Sequence, residues 1–169
     1  MNELEKFIEM WNTDAKATTK VLESLPQDRY DFRPDAGGRS LGELAWHLAE
    51  VEAYLADGIQ RRKVDFAAVE GLSRPREIAA LAPGYRRIHE QALARIRTLE
   101  LEDLDQVIPF ANRQLPIRPI LWSGLLHHLI HHRGQLTLMN RIAGGTSPGV
   151  FGPNREEMAA MRAEMQARS

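Results

Sequence analysis

The sequence predicts an all-α fold: a four-helix bundle with an additional short C-terminal helix. Three observations carry that prediction. Apolar residues recur every three or four positions along four long segments, the spacing that gives a helix one buried face. Ser40-Leu41-Gly42-Glu43 and Asn154-Arg155-Glu156-Glu157 read as capping boxes, where the first side chain caps an amide and the Glu reaches back. Outside one Pro-containing stretch between Glu100 and Pro119, no segment has the pattern of a strand. The 169 residues, 43% hydrophobic and 27% charged, read as a single domain over 1–169 with a full core.

The first helix is expected from about Leu4 to Leu25, with Leu4, Ile8, Trp11, Ala15, Thr18 and Leu22 in phase and Pro26 as its stop. Ser40 caps the second, which runs through about Ile59 with Leu41, Leu44, Leu48, Val51 and Leu55 on one stripe. Arg61-Arg62-Lys63 follows as a solvated helix end, where positive charge suits the helix dipole. Ser73, with Pro75 in the first turn, is expected to open a third helical region reaching about Leu99. Pro83-Gly84 should kink or break it, because proline lacks a donor and clashes with the preceding turn. Val107-Ile108-Pro109-Phe110 and Leu115-Pro116-Ile117 flank Ala111-Asn112-Arg113, which predicts a long loop or a small hairpin before the last core helix. That helix spans about Ile120 to Ala143 and stops at Gly144-Gly145; Asn154 opens the short C-terminal one. Trp11, Trp46 and Trp122 fall on apolar faces as core or interface residues.

Composition excludes several function classes. Twenty-two Lys and Arg against twenty-three Asp and Glu give a net charge of −1, so nothing draws the chain to nucleic acid. The absence of Cys removes disulfides, thiolate-bound zinc and a cysteine nucleophile. The longest stretch free of charge, Pro119 to His132, is too short to span a bilayer, and the first residues lack the pattern of a leader. A cytoplasmic protein is expected.

Four of the six histidines lie in His127-His128-Leu129-Ile130-His131-His132. Two pairs stand one helical turn apart there, His127 with His131 and His128 with His132. The four-and-three spacing of Leu121, Leu125, His128, His132, Gln135, Met139 and Ile142 is a core-facing seam, which places the second pair inward. His47 sits on the row Leu44, His47, Val51 of the second helix. In a bundle these faces converge, and three imidazoles with an open fourth position make a catalytic metal set, zinc above all. His89, standing alone, reads as a surface or satisfied interior residue. There is no HExxH, and no Glu stands three residues before a His, so neither a zincin nor a ferritin-like di-iron site is predicted.

His128-Leu129-Ile130-His131-His132-Arg133-Gly134-Gln135-Leu136 resembles a signature of the DinB/YfiT-like superfamily. Arg39-Ser40-Leu41-Gly42-Glu43-Leu44-Ala45-Trp46-His47-Leu48 resembles its second-helix motif, and Pro148-Gly149-Val150-Phe151-Gly152-Pro153 the loop after the last core helix. The resemblance implies a four-helix bundle, frequently homodimeric, with a divalent metal on three histidines. By position these are His47, His128 and His132, the set that the seam selects. Imidazole suits zinc, nickel and iron alike.

Gln135 shares the face of His132 and is expected to orient a ligand or meet substrate. Arg133 reads as a packing or dimer contact, His131 as solvated, Glu43 as part of its capping box, and Glu50 as solvated or salt-bridged. Neither glutamate is assigned a catalytic role. The resemblance implies a metal-dependent enzyme acting on a small molecule, either a hydrolase or an S-transferase or isomerase using a low-molecular-weight thiol. A non-catalytic, metal-binding dimeric scaffold or stress-associated binding protein is the alternative.

Overall fold

The first two helices and the last start where the sequence supplies a side-chain cap. In α1 (Glu3–Glu23) the Asn2 side chain accepts from the Glu5 N–H, and Glu5 accepts from the Asn2 N–H. In α2 (Leu41–Gln60) the predicted Ser40–Glu43 box is formed in both directions. The computed structural model describes residues 1–65 and 72–168. A 3₁₀ turn (Ile78–Ala80) leads into α3 (Leu81–Ile96). Another (Leu101–Asp105) precedes the hairpin of β1 (Val107–Phe110) and β2 (Arg113–Pro116). The last core helix is one helical run in three parts: a short turn α4 (Ile117–Pro119), a π-helical segment (Ile120–His127) and α5 (His128–Ile142). After the Gly144-Gly145 stop, α6 (Arg155–Ala167) opens on its Asn154–Glu157 box.

The four core helices pack as a bundle in which α2 lies against α3 and α5, and α1 lies against the same two. That is why α2 is buried nearly all round, from Leu41, Leu44 and Leu48 to Val51, Leu55 and Ile59. Trp11 and Trp46 are buried, and Trp122 packs against the core edge. The short sheet pins the exit of α2: β1 and β2 pair antiparallel, and Val64 bridges to Phe110.

Two expectations about α3 are corrected. Ser73 caps nothing; the helical structure starts at Ile78, and residues 72–75 are irregular. Pro83 does not break the helix, because it lies in the first turn, where a missing N–H leaves no helical acceptor empty. Gly84 follows because the helix presses on Trp46: a Cβ there would lie 2.7 Å from the ring.

The predicted seam of the last core helix is also corrected in phase. Leu121, Leu125 and Met139 are buried, but Gln135 and Ile142 are exposed. The residues of α5 that enter the core are Leu129, Arg133, Leu136, Met139 and Asn140. The π-helical segment explains the slip. Bonding i to i+5 puts more residues in each turn than the 3.6 of an α-helix, so a phase extrapolated through it rotates. His128 and His132 consequently sit half-buried at the edge of the core instead of within it.

Two polar clusters cross the core. Glu52 on α2 is fully buried and accepts from Trp11 Nε1 (3.1 Å) and the Tyr85 hydroxyl (2.5 Å), and its other oxygen lies 2.8 Å from His89 Nδ1. His89 is thus the satisfied interior histidine, with Asn12 on its second nitrogen. Arg133 packs within the chain: it pairs with Asp14 at 2.6 Å and donates to Thr18.

Candidate metal centre

α2 carries His47 seven residues after its Ser40 cap, and α5 carries His128 and His132 one turn apart, just past the π-helical segment. The packing of α2 on α5 brings the three together. One ring nitrogen from each lies within 4.8 Å of those of the other two. His47 Nε2 and His128 Nε2 are 3.4 Å apart, longer than an ordinary hydrogen bond. Two zinc–nitrogen bonds of about 2.0–2.1 Å at a tetrahedral angle hold their nitrogens ~3.4 Å apart, so the spacing fits a shared ion. The rings of His47 and His132 meet edge to face at 4.8 Å between centroids.

The outer nitrogens of two of these rings are engaged. Glu50, one turn beyond His47, places Oε2 3.5 Å from His47 Nδ1. Gln135 Oε1 lies 2.7 Å from His132 Nδ1. Both contacts favour the tautomer with a proton on Nδ1 and a lone pair on Nε2, the form that ligates.

Electrostatics favour neutral imidazoles at His128 and His132. Burial, reinforced by His132, His47, His131 and Arg39, pushes His128 down to about 4. Burial also lowers His132, against the opposing hydrogen bond to Gln135. For Glu50, burial works to raise the pKa, but the contacts with His47 and Arg74 outweigh it, and the carboxylate stays ionised below its usual range. Arg74 bonds Glu50 at 2.7 Å and stands 3.8 Å from Glu43. Glu43, bonded by Arg33 and by the Ser40 N–H, is lowered to about 2.

His127 and His131 are exposed; the His131 ring lies 5.1 Å from that of His132 but outside the cluster. Glu50 is the residue that sequence reasoning underweighted, although its spacing of three from His47 was the available signal. Arg74 arrives from a distant irregular segment, and no local pattern announced it.

An all-helical bundle with a three-histidine cluster between its second and last core helices defines a class of protein compatible with a metal site. Comparison with known proteins identifies the particular family. The DinB family model matches residues 1–167, and the chain belongs to the DinB family. An uncharacterized protein of Bacillus subtilis strain 168, YrdA, is 32% identical over 163 residues, covering 92% of each chain. A crystal structure of a DinB-like protein from Bacillus cereus ATCC 10987 superposes with a TM-score of 0.74 at 28% identity, over 87% of this chain and 97% of that one. The DinB-like protein YjoA of Bacillus subtilis has the same fold, with a TM-score of 0.72 at 20% identity over 88% of this chain and 99% of its own. No helix among the described residues is long and apolar enough to cross a membrane.

Proposed function

We propose that His47, His128 and His132 hold one divalent transition metal through their Nε2 atoms, and that the centre makes this chain a metal-dependent enzyme acting on a small molecule. One observation carries the reading: three imidazoles converge while Glu50 and Gln135 occupy the outer nitrogens of two of them. A structural zinc site is closed by four protein ligands, whereas the cluster offers three among the described residues. A divalent ion held there supplies Lewis acidity at its free position, enough to activate water for hydrolysis or a small-molecule thiol for transfer. The chain's own part is to favour neutral rings at His128 and His132 and to set the tautomers of His47 and His132 through Glu50 and Gln135. Zinc, nickel and iron remain the proposed ions, and a cytoplasmic homodimer belongs to the same proposal. In support of the dimer, α6 buries none of its residues and exposes Met158, Met161 and Met165.

Elemental analysis of the purified chain tests the ligand set. The unmodified protein is expected to carry about one ion per chain, and His132→Ala to lose it while circular dichroism keeps its helical signal. Wild-type stoichiometry in that variant would sink the assignment.

A further inference from the structure

Charges around the histidine cluster close on one another with one exception. Arg74 is held by Glu50 and Glu43, and Arg33 by Glu43. Arg39 makes no ion pair among the described residues, yet it lies near enough to act electrostatically on both His128 and His132. It directly precedes the Ser40 cap of α2, so the capping box fixes the backbone on which it stands.

Arg39 also lines a groove of about 320 Å³. The groove continues the α2–α5 seam one turn beyond the histidines: Leu44 precedes His47 by three residues, and Gln135 follows His132 by three. Gln135 lines the groove while its side chain engages His132, so the two places share a residue. The remaining wall is apolar: Leu138, Met139 and Ile142, with Leu138 63% and Ile142 56% exposed. An uncompensated guanidinium above an apolar wall, beside a cluster that would carry a cation, is complementary to an organic anion.

We propose that this groove is the specificity subsite of the metal centre, and that Arg39 selects substrates bearing a carboxylate or similar small anionic group on a short apolar chain. The inference rests on the metal reading above. The substrate's reacting group occupies the free metal position, and its anionic tail reaches Arg39. Arg39 stands two positions before Leu41, and about 9 Å of helix separates Leu41 from His47, so a tail of several bonds is required.

Cobalt-loaded protein provides the test, with the visible spectrum of the ion as readout. The probes are alkyl hydroxamates, whose head binds the metal, with tails of two to five methylenes ending in a carboxylate or a methyl group. Wild-type protein is expected to bind the best carboxylate probe about 5–10-fold more tightly than its methyl counterpart. Arg39→Ala should bring that ratio near one with cobalt stoichiometry unchanged, and Arg39→Lys, which keeps the charge, should restore it in part. A ratio near one in the wild type, or a preserved ratio in Arg39→Ala, overturns the subsite while leaving the metal reading intact. Protein that takes up no cobalt overturns both.

Discussion

A histidine offers a metal whichever nitrogen its surroundings leave free, so the partner of the other nitrogen decides whether the site is preformed. For His47 that partner is Glu50, itself braced by Arg74, and for His132 it is Gln135. Replacing Glu50 with Gln keeps an oxygen near Nδ1 but removes the negative charge that makes the imidazole a better donor. Metal affinity of Glu50→Gln is therefore expected to fall about 10–100-fold, as for other groups that orient a ligand from behind. Competition with a chromophoric chelator measures it, and affinity unchanged within twofold would show that Glu50 serves only Arg74. The sequence made the three histidines legible because their types are rare and their spacings helical. It could not reveal Arg74, which comes from a separate irregular segment, nor the role of Glu52. A glutamate among apolar neighbours on a helix looks the same on paper whether it meets water or, as here, Trp11, Tyr85 and His89.

At the level of elements, capping chemistry was the most readable signal, and phase the least secure. Both predicted boxes form, since each needs only residues three apart. The phase of α5 was misjudged because a π-helical segment precedes it, and bonding of that kind leaves no mark in apolar spacing. Pro83-Gly84 looked like a break because composition does not say where in a helix a proline falls. In the fold Pro83 is near the start of α3, and Gly84 is where α3 meets α2. Alanine usually favours a helix over glycine by about 1 kcal/mol. At Gly84 the added methyl would stand 2.7 and 2.9 Å from two atoms of the buried Trp46 ring. Overpacking of that kind costs about 1–3 kcal/mol and outweighs the helix gain. Net of that gain, Gly84→Ala is expected to lose up to about 2 kcal/mol in urea unfolding with its helical content unchanged. Greater stability in the variant would mean that α2 and α3 separate easily, contrary to the packing described.

For the whole molecule, the question is whether a metal would hold the fold together or be held by it. The three histidines come from α2 and α5 alone, and α2 and the last core helix already belong to one continuous apolar core that includes Leu48, Leu55, Leu125 and Leu129. That core also takes in α1, α3 and the hairpin, through residues such as Phe7, Trp11, Leu81, Ile96 and Ile108. Removing an ion from the cluster would leave half-buried imidazoles that water reaches, so no buried charge is stranded. The ion should then stabilise only by linkage: about 2.7 kcal/mol when free metal is 100-fold above its Kd. In a domain of this size each kcal/mol shifts Tm by about 2–4 °C, so saturating chelator is expected to lower Tm by about 5–10 °C. The chelated protein should still melt cooperatively, with the same helical circular dichroism at 25 °C. Unfolding at room temperature on metal removal would instead make the ion structural, as in small zinc domains that fold only around it, and the case for chemistry at a free coordination position would lose its support.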